Sequence, residues 1–446
     1  MFEKTKTYNM TKANFILDKE VPMGEYKLVC PGCRHTIPDH YTLRCDCGAG
    51  LIRTRYEARH LHIRDLPGMW QYYEWLPTEG YINTPGKPVT YKSEGLSKEL
   101  GISELYISFN GYWPEMGARM DTCSFKELEA PPTVLRAKEH GGRAMVLASA
   151  GNTGRAFAYL STITGFPVII VVPEKNAGNL WIPGKEAGQS IRLITMEDGN
   201  DYSDAIKLSE RISSIKGIVP EGGARNVARR DGMAVTMLDA AVTMKKMPDD
   251  YFQAIGSGTG GIAAWEASLR LRDDGRFGNR LPVLHLVQNL PFAPMYHAWK
   301  AGRRDIITDL DMPDAKQQIA KMYTDILSNR NPPYTINGGV YDALIDTGGD
   351  MCAITNEEAI EAKKLFESLE GIDILPPAAV AVAALLKASE KGFDRGRSVL
   401  LNVTGGGFER LKKDMPLNRV EPCLKVSGPD VPLDDIEKVI EWPTLS

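Results

Sequence analysis

The stretch "AMVLASAGNTGRAFAYLSTITGFPVIIVVPE", residues 144–174, decides the fold. Ala144 to Ser149 reads as an apolar strand, Gly154 to Thr164 as a helix, and Val168 to Val172 as a second strand. Strand, helix and strand in about thirty residues make the repeating unit of a parallel sheet. Working outward, "FQAIGSGTGGIAAWEASLRLR" (252–272) is a short strand ending in a glycine loop that opens a helix, and "PVLHLVQ" (282–288) supplies the next strand. "SVLLNV" (398–403) runs into "TGGG". All three glycine-bearing loops fall at the carboxyl ends of strands, the edge where open α/β sheets bind ligands. This alternation of β-branched runs and Ala-rich helical stretches begins near residue 76. Residues 1 to about 75 are rich in Cys, His and Arg and read as an appendage. "PPAAVAVAALLKA" (376–388) starts with proline and reads as a buried helix with no chemical role.

A chain of 446 residues can bury a sizeable core. Its 53 Lys and Arg against 57 Asp and Glu leave a net charge of -4, which predicts neither a nucleic-acid nor a membrane partner. Any anionic substrate must therefore be held locally. The longest apolar runs, "VIIVVP" and "AAVAVAALL", fall short of the ~20 residues of a bilayer span. The N-terminal twenty residues lack an apolar core with a cleavage site, so the expected location is the cytoplasm.

"GSGTGG" at 256–261 can turn backbone amides toward an anion at the positive end of the following helix. A dinucleotide would want an acidic residue at the end of the next strand, and here that strand ends in Gln288-Asn289. A glycine turn needed only for packing is the plainer alternative. A monophosphate cofactor is the favoured reading. If it is pyridoxal phosphate, the protein must supply a Schiff-base lysine, a group at the pyridine nitrogen and one to orient the ring. Lys126 in "MDTCSFKELEA" (120–130), Thr404 and Asn152 are the candidates. A lone lysine ordinarily snorkels to water, Asn152 could be a helix cap, and Thr404 could simply end its strand. A hydroxyl at the pyridine nitrogen leaves the ring a weaker electron sink, which favours elimination and replacement at the β-carbon over transamination. The "ASAGNTG" loop can bind a carboxylate at a helix N-terminus.

With "SFK", "SAGNTG", "GSGTGG" and "TGGG" in this order, residues 76 to 425 resemble the fold-type II pyridoxal-phosphate enzymes, the tryptophan synthase β-like superfamily. The resemblance implies two α/β domains with largely parallel sheets, plus the small Cys-rich appendage. It implies that Lys126 carries the cofactor, that Asn152 contacts its ring, that Gly256, Ser257, Gly258, Thr259, Gly260 and Gly261 cradle its phosphate, and that Thr404 faces the pyridine nitrogen. The block "GYWPEMGARMDTCSFKELEAPPT" (111–133) and the "CPGC…CDCG" appendage are similar to the cysteate synthase family. That family, a threonine-synthase relative of methanogens, makes L-cysteate from O-phospho-L-serine and sulfite on the route to coenzyme M. Threonine synthases, the nearest rival, show "TGSFKDR", whereas this chain has Cys123 for the Gly and Glu127-Leu128 for the Asp-Arg. Turnover on O-phosphohomoserine, or a ligand-binding protein without turnover, are the alternatives. For the anionic amino-acid substrate and sulfite, Ser149, Ala150, Gly151 and Thr153 are the expected loop contacts, and Arg155 and Arg119 the expected cations. The expected division is 1–75 for the appendage, 76–118 with 232–446 for the large cofactor-binding domain and 119–231 for the smaller substrate-side domain. A homo-oligomer is expected.

Four of the seven cysteines, Cys30, Cys33, Cys45 and Cys47, crowd into the appendage. Paired thiolates on two tight turns can close a zinc site, although the second pair is one residue short of the usual spacing. Reduced, unligated cysteines in a degenerate ribbon are the alternative. His35, His40, His60 and His62 are possible substitute ligands, and Cys123 could line the pocket or be a small buried hydrophobe.

Overall fold

Two parallel sheets carry the body, because the apolar runs of the sequence are too uniformly hydrophobic to leave a face in water. A computed structural model describes residues 15–16, 25–184 and 188–440. The N-terminal twenty residues read above thus lie mostly outside the described residues. One sheet has six strands in the order Asp350–Ile354, Val283–Asn289, Asp250–Ala254, Val399–Val403, Leu105–Phe109 and Val89–Lys92. All its neighbours run parallel except the last pair, where Val89–Lys92 closes the edge antiparallel. The other has five strands, all parallel: Ile218–Pro220, Ala144–Leu147, Val168–Pro173, Ile191–Met196 and Pro422–Val426.

The deciding stretch forms the strand, helix and strand read from it, with shifted ends. The first strand stops at Leu147 rather than Ser149, and the helix starts at Asn152 rather than Gly154. The cause is local: Ser149 Oγ accepts the amides of Gly151 and Gly154 at 3.3 and 3.2 Å, which takes the chain out of the ladder early. Every residue of Val168–Pro173 is buried.

The chain returns late to the five-stranded sheet, which the division at 232–446 did not anticipate. Pro422–Val426 pairs with Ile191–Met196, and Ile436 and Ile440 of the helix Leu433–Ile440 pack with Ile169, Val171 and Ile194. As an edge strand with a leading proline and mostly exposed side chains, it carries little apolar signal.

Three helices pack in series: Lys126–Glu139 on Val227–Met244, and Val227–Met244 on Thr259–Asp274. Pro131 and Pro132 lie inside the first of these, so the carbonyls of Glu127 and Leu128 have no helical amide to accept. The second helix crosses at that point. A Cβ at Gly232 would collide with the freed Leu128 carbonyl, so the close crossing requires glycine. This crossing sets Lys126 against Met233.

The appendage is a small three-stranded antiparallel sheet, Thr36–Ile37, Tyr26–Val29 and Arg53–Tyr56, followed by the helical turns Gly68–Trp75. Trp70, Tyr72, Tyr73 and Trp75 bury themselves in the main core. "PPAAVAVAALLKA" is the start of the helix Pro376–Glu390, buried against the six-stranded sheet. Among the described residues no helix is long and apolar enough to cross a membrane.

Candidate active site

Backbone hydrogen bonds join the lysine segment to the "TGGG" loop. The Phe125 amide donates to the Thr404 carbonyl at 3.0 Å, Ser124 and Gly405 form an antiparallel bridge, and the Gly406 amide donates to the Cys123 carbonyl at 3.1 Å. Cys123 holds a left-handed backbone with φ of 57°, a conformation in which a side chain other than glycine is strained. That is the position at which the threonine synthase pattern has glycine. The Cys123 side chain itself is buried against Tyr112, Trp181 and Leu411, so it acts as a small hydrophobe. Two loops about 280 residues apart in the sequence are thus one local structure, with Lys126 and Thr404 on it.

Lys126 opens its helix and is only 17% exposed in its side chain. Its Nζ donates to Glu129 Oε2 at 3.2 Å, lies 3.7 Å from Met233 Sδ and sits 4.7 Å above the Phe125 ring. Burial lowers the pKa of the amine below the ordinary lysine value, and the Glu129 carboxylate opposes that only in part. A lysine held this way has a larger neutral, nucleophilic fraction than one in water.

Glu129 is shared. Arg229 Nε donates to the same Oε2 at 2.8 Å, and Thr153 Oγ1 donates to Oε1 at 3.0 Å. The Arg229 guanidinium also pairs with Glu221. This network ties the lysine to the "SAGNTG" loop, of which Thr153 is a part. The sequence reading included Thr153 but missed Glu129, Arg229 and Glu221. Glu129 stands three residues after Lys126, so helical spacing alone could have drawn attention to it.

Asn152 begins the helix Asn152–Thr164, and its Oδ1 accepts a hydrogen bond from Arg155. The Arg155 guanidinium lies 4.8 Å from the Trp181 ring centroid, and its buried Nε has no hydrogen-bond partner among the described residues. Among the described residues no carboxylate pairs with Arg155. Burial pushes its pKa down to about 10, which still leaves a cation at neutral pH. Arg119 is different. It stands exposed on the short strand Ala118–Arg119, and its charge acts on the buried carboxyl of Asp121. The structure therefore draws Arg155, and not Arg119, toward the Asn152 end of the site.

The "GSGTGG" loop leaves the strand Asp250–Ala254 and opens the helix Thr259–Asp274, whose first amides have no acceptor within the helix. Gly258 has φ of 84°, and a Cβ there would strike Val340. The glycines divide by role. Gly260 and Gly261 face Gln253 and Leu286, with a Cβ at Gly261 only 2.9 Å from Leu286, so they let the helix pack on its sheet. Gly256, Ser257, Gly258 and Thr259 form the turn itself, and Ser257 and Thr259 share a hydroxyl hydrogen bond of 2.8 Å. The turn Asp325–Leu327 links this loop to the other one: Leu327 packs on Gly256 and Ile326 on Gly151.

A helix N-terminus, a buried lysine of lowered pKa and a hydroxyl at a strand end therefore share one sheet edge. These groups fit pyridoxal phosphate: the 256–259 turn would hold the phosphate, Lys126 the aldehyde carbon, Asn152 the ring substituent and Thr404 the pyridine nitrogen. The model for pyridoxal-phosphate dependent enzymes matches residues 78–405. The cysteate synthase of Methanocella paludicola is 77% identical over 424 residues, covering 95% of this chain and 99% of that one. The chain belongs to the cysteate synthase family. The cysteate synthase of Methanosarcina mazei is 59% identical over 416 residues, 93% of this chain and 100% of that one. Among solved structures, a pyridoxal 5'-phosphate-dependent aspartate racemase superposes with a TM-score of 0.52 at 16% identity, over 73% of this chain and 92% of that one. Serine racemase from Dictyostelium discoideum gives 0.50 at 16% identity, over 72% and 93%. These two show the fold alone. As a member of the cysteate synthase family the chain is a pyridoxal-phosphate-dependent enzyme of fold type II.

The charge network makes a prediction. Apoenzyme must present neutral Lys126 to the cofactor aldehyde, so recovery of visible absorbance on adding pyridoxal phosphate should speed up as pH rises. It should level off below the pH at which an exposed lysine would. Glu129→Gln removes the charge that raises the amine, so the midpoint should move lower still. The same change should cost about 3 kcal/mol of stability, the low end for breaking a buried pair, because Arg229 keeps Glu221. A midpoint that moves upward in the variant would show that Glu129 does not act on Lys126.

Proposed function

We propose that the enzyme converts O-phospho-L-serine and sulfite to L-cysteate and phosphate in the cytoplasm, on the route to coenzyme M. The observation that carries this reading is Arg155, a largely buried cation with no carboxylate partner among the described residues, placed where the "SAGNTG" loop meets its helix. A buried charge left unpaired by the protein is costly unless a ligand pairs it. Both proposed substrates are anions, and a guanidinium suits either the phosphate or the sulfite oxygens.

Pyridoxal phosphate, when bound, supplies the electron-withdrawing ring that makes the substrate Cα proton removable and lets a β-substituent leave. The protein's residues do the rest. With the cofactor in place, Lys126 Nζ would take the substrate Cα proton as general base. The Cβ–O bond breaks, its electron pair leaving with phosphate, and the sulfur lone pair of sulfite forms the Cβ–S bond. Nζ then returns a proton to Cα. The amides of Asn152 and Thr153, at the start of the helix Asn152–Thr164, hold the substrate carboxylate, and Arg155 holds the anionic group on the β-carbon side. Sulfite is a competent nucleophile without activation, so no further base is required.

Offering substrates separately tests the reading. L-Cysteate should form from O-phospho-L-serine with sulfite, and phosphate should not be released from O-phosphohomoserine in water. Threonine formed from O-phosphohomoserine, with no cysteate from the other pair, would overturn it.

A further inference from the structure

We propose that Cys30, Cys33, Cys45 and Cys47 hold a structural zinc ion whose task is to fasten the N-terminal ribbon onto the helix that carries Arg229. The four sulfurs, which belong to free cysteines, lie within 4.8 Å of one another, with Cys30 to Cys47 and Cys33 to Cys45 each at 3.5 Å. A tetrahedral ion with Zn–S bonds of about 2.3 Å needs sulfurs about 3.8 Å apart, which these distances bracket. Both pairs sit on tight turns. The Arg34 amide donates to the Cys30 carbonyl at 2.8 Å and the Gly48 amide to the Cys45 carbonyl at 2.9 Å, with Arg34 and Gly48 in left-handed conformations of 63° and 65°. The Ala49 amide points at Cys47 Sγ at 3.4 Å, so the short Cys45-x-Cys47 spacing still turns its second sulfur inward. His60 is turned away to Asp274, and among the described residues the group is all cysteine. Four soft thiolates in a compact tetrahedron select zinc over hard cations.

The ribbon's own apolar core is small. Its apolar cluster is Leu28, Cys30, Cys45 and Ile52 against Val227, and its strands run two to four residues. Cores this small generally need a metal or disulfides. What the ribbon grips is the start of the helix Val227–Met244. Tyr41 accepts a hydrogen bond from Asn226 Nδ2 at 3.1 Å, Thr54 and Tyr56 donate to Asp231 at 2.6 and 2.7 Å, and Asp39 holds Arg136 of the lysine helix at 2.6 and 2.8 Å. Arg229, which pairs Glu129 beside Lys126, lies between Asn226 and Asp231. The zinc is thus a positioning device for one wall of the site.

Metal analysis of the full-length holoenzyme should find about one zinc per chain, released as a mercurial consumes the four ribbon thiols. Growth with cobalt should give the visible absorption of a tetrahedral cobalt thiolate, outside the cofactor band. The double variant Cys33→Ser with Cys47→Ser should lose the metal, and amides 226–231 should exchange hydrogen faster in it than in the parent. Absence of stoichiometric metal, iron in its place, or two disulfides in fresh protein would overturn the zinc assignment. Zinc loss with unchanged exchange at 226–231 would overturn its positioning role.

Discussion

Lys126→Ala is expected to leave a folded protein without the visible absorbance of bound cofactor and without turnover. Removing the general base alone should lower the rate by roughly 10²- to 10⁴-fold, and losing the covalent attachment lowers it further. Folding should survive because Glu129 keeps Arg229 and Thr153 after the lysine is gone. Far-ultraviolet circular dichroism and thermal melting should therefore stay close to the parent's while the absorbance disappears. Normal turnover in this variant would refute the role given to Lys126.

Arg155→Met should separate activity from stability in opposite directions. Burial penalises the guanidinium, and no carboxylate among the described residues offsets it, so an apolar side chain of similar length should leave the melting temperature equal or higher. The loss should appear against the anionic substrate. A charge-assisted hydrogen bond contributes about 1.5–3 kcal/mol, so KM should rise roughly 10- to 150-fold. Arg155→Lys should restore part of it by keeping the charge without the fork. If Arg155→Met instead unfolds the protein and leaves KM unchanged in what folds, Arg155 is structural.

The four loops and their order were legible because each carries a local signal: glycine where the backbone turns at a strand end, and apolar runs on either side. What escaped was long-range. Glu129 and Arg229 are a hundred residues apart in sequence, and only the crossing of their helices at Gly232 makes them a pair. Arg155 and Arg119 looked alike as cations near a motif. One is pinned beneath Trp181 by its helix and the other is turned outward by a two-residue strand. The strand Pro422–Val426 was missed because an edge strand that buries one side chain hardly departs from a loop in composition. In the ribbon, counting residues suggested a defective second cysteine pair, whereas the turn at Gly48 brings its sulfurs in regardless.

Borohydride reduction of the holoenzyme, followed by digestion and mass spectrometry, tests the central claim most directly, since it fixes the cofactor to whichever amine holds it. The account predicts the adduct on the peptide containing Lys126 and on no other lysine. An adduct at a different lysine, or a protein that binds the cofactor without any reducible bond, would contradict it.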